Sequence, residues 1–260
     1  MTGVSRPKGI GYAVARRLAG LGASVVAHHF APHDAEQPWG GADVEAVRSG
    51  IRSQLIEGAQ TADFSADLSD ASAAETLIDQ AAALTGRLDI LVCNHARSGD
   101  ASILEVTPEG LDAHWNTNAR ATFLLTQHFA TRFEWDGTED GAGRVIWFTS
   151  GQLYGPMRTE FAYVASKAAI AGSTQTAAAE LVTRGILLNT VNPGPTNTGY
   201  LDPETTDRPE ILDELRAAMP LGRFGEPDDV ARLIAWLVGP DGRWVIGEIL
   251  SSEGGFRLGG

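Results

Sequence analysis

Lysine is nearly missing from this chain. Of its 20 basic residues only Lys8 and Lys167 are lysine, and every other one is arginine. Arginine keeps its proton and carries a broad planar head, so it does not replace a compact ammonium whose charge can be tuned. The two lysines that remain fall in the stretches most suited to touch a ligand. Cysteine is scarcer still. Cys93 is the single one, so no internal disulfide can form. It lies in the apolar run 88–93 and reads as a small core residue, which fits a reducing cytoplasm. Positive charge is in deficit: 20 Lys and Arg against 33 Asp and Glu leave a formal net charge of −13. Nucleic acid and anionic membrane surfaces repel a protein of that sign, so neither is an expected partner. No apolar run reaches the roughly 18 residues that cross a bilayer. The first residues do not read as a secretory signal, and a cytoplasmic location is expected. The six histidines show no metal-ligand spacing. His28 and His29 are adjacent and face opposite sides of a strand, so no metal site is expected.

What is present reads as strands alternating with helices. A chain of 260 residues with 43% hydrophobic content suffices for one α/β domain with a full core. Strands are expected at 24–29, 60–65, 88–93, 143–150, 186–192 and 244–250. Helices are expected at 12–21, 43–57, 71–85, 109–132, 161–182, 209–218 and 227–238. This alternation predicts a Rossmann-type doubly wound parallel sheet flanked by helices, in a single domain over 1–260. A central strand should lead into the glycine-rich turn at the start, yet only Met1 precedes Thr2. That first strand is missing from the expected set, and the natural chain is expected to begin several residues earlier. The stretch 31–42, with Pro32, Pro38 and Gly40-Gly41, reads as a longer loop than its position needs.

The chemistry gathers at Tyr163-Val164-Ala165-Ser166-Lys167. On a helix Tyr163 and Lys167 lie one turn apart on the same face. A free phenol, with a pKa of about 10, is a poor proton shuttle at neutral pH. A cation held a few ångströms away favours phenolate, so the pair is one way to build a tuned acid/base. Taken alone it is also an ordinary pair of residues on an ordinary helix. Its company gives it weight. Strand 143–150 ends in the hydroxyls of Thr149 and Ser150, upstream of Tyr163. The opening turn Thr2-Gly3…Gly9-Ile10-Gly11 leads into a helix, where glycine N–H groups and the helix N-terminus can approach a pyrophosphate.

Ser150, Tyr163-x-x-x-Lys167, Asn118, the Thr2-Gly3…Gly9-Ile10-Gly11 turn and Pro193-Gly194, in that arrangement, resemble the short-chain dehydrogenase/reductase family, in its 3-oxoacyl-reductase-like branch. The resemblance runs from residue 2 to about residue 256. It implies hydride transfer between a nicotinamide and a ketone or aldehyde, or a secondary alcohol in reverse. Tyr163 would be the general acid/base, and Lys167 would lower its pKa and hold the nicotinamide ribose. Ser150 would donate to the carbonyl oxygen, and the Asn118 backbone would hold a water in a proton relay. The implied cofactor contacts are Gly3, Ser5, Lys8, Gly9, Ile10 and Gly11 in the turn, and His29 after the next strand. Asp67 and Leu68 would flank the adenine, and Asn94 and Ala96 would pass beside the ribose. Tyr163, Lys167, Pro193, Gly194 and Thr198 complete the nicotinamide end. Helices 109–132 and 161–182 would form the interface of a homotetramer or homodimer.

NADP(H) is the preferred cofactor on this reading. An NAD enzyme tends to place an acid at the end of the strand 24–29, where His29 stands instead. Lys8 occupies the place where relatives using NADPH often carry a base for the 2′-phosphate. Asp34 and Glu36 leave NAD(H) open. The chain also departs from the family pattern. Val4 to Lys8 place five residues between two glycines that are usually separated by three. His95 and Arg97 replace Asn and Gly in the usual Asn-Asn-Ala-Gly. The lid, about 195–225, sets Asp202, Glu204, Asp207, Glu210, Asp213 and Glu214 against Arg208. Either this is a solvated acidic face, or it turns inward and disfavours anionic substrates. The acidic loop 134–143 argues against docking a carrier protein. A Ser-His-Asp hydrolase is disfavoured because Thr149-Ser150-Gly151 lacks the nucleophile elbow. The six-residue Tyr–Lys spacing of related enoyl reductases is absent too. A catalytically idle nucleotide-binding or structural homologue, and an NAD-dependent alcohol dehydrogenase, remain as the alternatives.

Overall fold

The computed structural model describes residues 1–35, 43–206 and 209–258. In chain order its elements are α1 (Ile10–Gly20), β1 (Val25–His29), α2 (Ala31–Ala35), α3 (Val44–Arg52), β2 (Thr61–Ser65), α4 (Ala71–Thr85), β3 (Ile90–Cys93), α5 (Pro108–His114), α6 (Ala121–Arg132), β4 (Gly143–Phe148), α7 (Phe161–Leu181), β5 (Ile186–Asn192), α8 (Leu212–Ala217), α9 (Pro227–Val238) and β6 (Ile249–Ser251). The chain divides into two compact units. Met1–Ser65, Pro193–Ala235 and Ser251–Gly260 form one; Ala66–Asn192 and Trp236–Leu250 form the other.

In the first unit β1 and β2 pair in parallel. The place of the expected first strand is taken by Met1–Val4, which run beside β1. The Met1 amino group donates to the Val26 carbonyl at 2.8 Å, His28 donates to the Met1 carbonyl, and Val4 donates to the His28 carbonyl. Val4 takes the bond that Gly3 would make in a regular ladder, because Gly3 sits at φ +71°, a conformation glycine adopts without a Cβ clash. Val47 and Ile51, four apart on α3, meet Ala15 and Ala19, four apart on α1, over Val4, Val25 and Ala27. Fully burying a residue such as Ile51 contributes roughly 1.5–3 kcal/mol. A second cluster, Leu201, Leu212, Met219 and Phe224, forms within the segment 195–225.

In the second unit the sheet order is β3-β4-β5-β6, with β3, β4 and β5 parallel. Every residue of β4 and β5 is buried. Strands covered on both faces carry continuous rather than alternating apolar runs. The helix α7 packs on β4 and β5, and α6 packs on β3 and against α4.

Four expected elements differ. The helix 109–132 is broken by a π-helical turn over Trp115–Arg120, where the Ala121 N–H reaches back five residues to Asn116. Asn116-Thr117-Asn118 are weak helix formers, and Asn118 has tertiary partners that reward the widened turn. The strand 244–250 is reduced to Ile249–Ser251. Gly247 is left-handed, at φ +74°. The Asn189 side chain takes the Val245 carbonyl at 2.7 Å and the Glu248 N–H at 3.0 Å in place of ladder bonds. Part of the expected loop 31–42 is helical, as α2, and 36–42 lie outside the described residues. The helix 209–218 begins as a tight 3-10 turn at Pro209–Ile211. Among the described residues no helix is long and apolar enough to cross a membrane.

Candidate active site

The reacting side chains expected from the sequence lie in the second unit, and it brings them together. Tyr163 and Lys167 stand one turn apart on α7, with the Lys167 ammonium 5.9 Å from the Tyr163 ring centre. Ser150, just past β4, stands close enough to the Tyr163 phenol to act on its pKa. The Ser150 hydroxyl also faces the Met157 sulfur at 3.9 Å. Lys167 is 2% exposed, and Nζ donates to the Phe148 carbonyl at 3.0 Å. Burial pulls its pKa down to about 8. Burial also raises the Tyr163 phenol. Ser150 opposes that shift, and the charge of Glu160 adds to it. The expected lowering of Tyr163 by Lys167 is not what this site shows: Lys167 is not among the groups that shift the phenol. Its phenol is held protonated.

Asn118 holds the surrounding chain rather than the phenol. Its side-chain oxygen accepts from the Arg97 N–H at 2.7 Å, and its amide nitrogen donates to the Arg97 carbonyl and to Ser166 Oγ, each at 2.9 Å. Ser166 in turn donates to the Tyr163 carbonyl at 2.7 Å. One amide thus fixes both the loop after β3 and the helix that carries Tyr163. The Asn118 carbonyl accepts from Thr122 Oγ1 at 2.7 Å. Ser166 was passed over in the sequence, although it sits inside the Tyr163–Lys167 motif. Ahead of α7, Thr159 adopts φ +65°, a strained conformation for a β-branched residue. That turn aims its carbonyl at the Ala101 N–H and stitches the loop after β3 to the start of the catalytic helix.

Four other expected residues of this unit lie in loops. Asp67 accepts from the Ser69 N–H at 2.8 Å, and Leu68 is buried. Arg120, in the π turn, donates to the Ser69 carbonyl and holds that segment. Asn94 is half-buried, Ala96 is exposed, and His95 is buried.

The residues expected at the phosphate and 2′-phosphate ends of the cofactor lie in the first unit. Gly9 is the N-cap of α1, with no side-chain cap and no acid in the first turn among the described residues. By contrast α3, α4 and α5 are capped by Asp43, Asp70 and Thr107. The N–H groups around Ile10 and Gly11 are thus open to an anion, which fits a pyrophosphate. The lengthened turn bends back on itself through a Gly9 N–H to Arg6 carbonyl bond of 3.0 Å. It places two cations. Arg6 pairs with Asp34 at 3.2 Å and donates to the Thr198 carbonyl at 2.8 Å. Lys8 pairs with Asp202, which Asn197 also holds at 2.7 Å. Both partners keep the Asp202 carboxyl below its ordinary range, Lys8 the more strongly. Asp202 is therefore held by protein partners and is not part of a solvated acidic face; Asp207 and Arg208 of that face lie outside the described residues. At the end of β1, His29 Nε2 lies 3.2 Å from Asp63, while Nδ1 is buried without a protein partner among the described residues. Ser5 is half-buried in the turn. Gly194 sits at φ +63°, and a Cβ there would run into Glu253 at 2.4 Å, so the Pro193-Gly194 corner admits glycine alone without rearrangement.

Known proteins share this plan. The family model described as enoyl-(acyl carrier protein) reductase matches residues 3–257. An uncharacterized oxidoreductase, YjdA, of Bacillus subtilis is 37% identical over 260 residues, 100% of this chain and 96% of that protein. A chloroplastic NADPH-dependent aldehyde reductase-like protein of Arabidopsis thaliana is 34% identical over 98% of this chain and 92% of its own length. A short-chain dehydrogenase of Burkholderia cenocepacia, solved in complex with NADP, superposes with a TM-score of 0.83 at 33% identity, over 98% of this chain and 96% of that one. A blue fluorescent protein from a metagenomic library, solved with NADPH, gives 0.81 at 32% identity over 98% and 95%. With its Ser150–Tyr163–Lys167 set and its glycine-rich turn, the chain belongs to the short-chain dehydrogenase/reductase family and is an NAD(P)-dependent oxidoreductase.

Proposed function

We propose that the protein is an NADPH-dependent reductase of ketones or aldehydes, able to run in reverse on secondary alcohols. One observation carries the reading: Tyr163 stands beside Ser150 and one helical turn from the buried Lys167, whose ammonium lies 5.9 Å from its ring centre, and burial raises the phenol's pKa. A protonated phenol is the form needed to protonate an alkoxide as it appears. Ser150 donates to the substrate carbonyl oxygen and stabilises the charge that develops there. Lys167, already close to losing its proton, passes a replacement to Tyr163 through a water held by the Asn118 carbonyl, and holds the nicotinamide ribose. The nicotinamide supplies the hydride.

Gly3, Ser5, Gly9, Ile10 and Gly11 hold the pyrophosphate, Asp67 and Leu68 the adenine, and Asn94 and Ala96 the ribose. Pro193, Gly194 and Thr198 hold the carboxamide end. Lys8 and His29, whose Nδ1 has no protein partner among the described residues, meet the 2′-phosphate and select NADPH over NADH. Relatives solved with NADP and NADPH support this choice. The Arg6–Asp34 pair occupies the acid that would otherwise favour a ribose hydroxyl. The protein works as one domain with a lid over about 195–225, as a homotetramer or homodimer in the cytoplasm. Its partner is a small carbonyl or alcohol substrate.

The test is NADPH oxidation across a panel of ketones and aldehydes, with wild type and Tyr163→Phe. The variant is expected to bind NADPH normally and to lose about 10²–10⁴-fold in turnover. Wild-type turnover in the variant would overturn the role of Tyr163.

A further inference from the structure

The 3-10 turn Gly151–Leu153, which follows Ser150, carries a glutamine whose amide is only half engaged. Gln152 Nε2 donates to Thr149 Oγ1 at 2.8 Å. Thr149 Oγ1 sends its own proton to the Lys167 carbonyl, 3.2 Å away. A hydroxyl has one proton to give. With that proton on Lys167, Thr149 can only accept from Gln152. The amide orientation is thereby fixed by its neighbours, with nitrogen toward Thr149 and oxygen away from it. Gln152 Oε1 is buried and has no protein partner among the described residues. A buried amide oxygen with no donor is destabilising and marks a place where something else donates.

Everything fixed around this amide belongs to the reacting site. Gln152 lies two residues past Ser150, and its turn packs against α7, the helix of Tyr163 and Lys167. Met157, on the same loop, returns to the Ser150 hydroxyl. Thr159 then ties the end of the loop to Ala101. The amide is anchored through Thr149 to the backbone of Lys167, so its free oxygen is held by the same elements that hold the catalytic groups.

We propose that Gln152 Oε1 is a specificity contact that accepts a hydrogen bond from a hydroxyl on the substrate, close to the carbonyl that Ser150 and Tyr163 address. The preferred substrates are then hydroxyketones or hydroxyaldehydes. This rests on the carbonyl-reductase reading above. An amide oxygen accepts and does not donate, so a carboxylate or phosphate finds no partner there, whereas a neutral hydroxyl does. A site with a buried acceptor discriminates strongly against an analogue that lacks the donor, because the acceptor is then left unpaired in the bound state.

Two matched pairs of ketones read this contact: hydroxyacetone with butan-2-one, and 4-hydroxybutan-2-one with pentan-2-one. In each pair a hydroxyl replaces a methyl. Values of kcat/KM are measured for wild type and for Gln152→Met, which keeps the length of the side chain and removes the acceptor. Wild type is expected to favour the hydroxylated member of at least one pair by about tenfold or more, and the ratio in the variant to fall by a similar factor. General damage to the enzyme affects both members alike and leaves the ratio unchanged. Gln152→Leu serves the same purpose if the methionine variant does not fold. A ratio unchanged by the substitution, or near parity in wild type for both pairs, overturns the inference while the reductase reading stands. No turnover of any carbonyl contradicts the reductase reading, and this inference falls with it.

Discussion

Lys167 and Lys8 are the only lysines of the chain, and they are held in opposite ways. The side chain of Lys8 is 54% exposed and paired with the Asp202 carboxylate, whereas Lys167 is 2% exposed and bonded to a neutral carbonyl. The same contrast extends to their surroundings. Around Lys167 the catalytic groups are fixed by short, buried, neutral hydrogen bonds through Asn118, Ser166 and Thr149. In the first unit the contacts are ion pairs: Arg6 with Asp34, largely buried, and Lys8 with Asp202, more open. An exposed pair is worth about 0–1 kcal/mol, so a phosphate can displace Asp202 from Lys8 at little cost. The proposed catalytic groups are fixed by the protein's own hydrogen bonds, whereas Lys8, proposed for the nucleotide, is held by a contact that can be exchanged.

The contrast can be broken most forcefully at Lys167. Its folded pKa, about 8, lies below the ordinary 10.5. Between those values the unfolded chain holds a proton that the folded chain does not, so stability rises with pH across that window. A shift of this size corresponds to about 3 kcal/mol. Urea unfolding of wild type and Lys167→Met, followed from pH 7.5 to 10.5, should show wild type gaining about that much relative to the variant. Parallel curves would mean that Lys167 is not held as a buried cation.

Asn118→Ala is the next largest. It removes three hydrogen bonds and leaves the Arg97 N–H and carbonyl unsatisfied by that side chain, at a cost of about 2–3 kcal/mol in unfolding free energy. Because Ser166 also loses its partner, turnover should fall as well. A variant with wild-type stability would show that the amide clamp contributes nothing.

These two effects sit where the sequence was most readable. Ser150, Tyr163 and Lys167 were legible because β4 and α7 fix them by local geometry: a strand end, and one turn of one helix. The long periodic stretches α4, α7, β5 and α9 were legible for the same reason. The π turn was not, because apolar periodicity continues on both sides of Trp115–Arg120 and the cause, Asn118 gripping Arg97, is tertiary. Nor was the Lys8–Asp202 pair, whose members lie 194 positions apart. Asp202 looked like one of a run of solvated acids. Gln152 carried no signal, since a glutamine two residues after a catalytic serine has no meaning until its amide is seen to be half used.

The smallest of these effects tests the exchangeable contact. Lys8→Ala should leave stability nearly unchanged, because its partner is an exposed pair. It should weaken NADPH about 10- to 150-fold, the worth of one charge-assisted contact, and leave NADH little affected. Equal losses for the two nucleotides would remove Lys8 from the 2′-phosphate site.

The most direct measurement is a titration of the wild-type protein with NADPH and with NADH, following nucleotide fluorescence. The account predicts micromolar binding of NADPH and at least about tenfold weaker binding of NADH, the difference contributed by one charged contact. Equal affinities, or tighter binding of NADH, would contradict it.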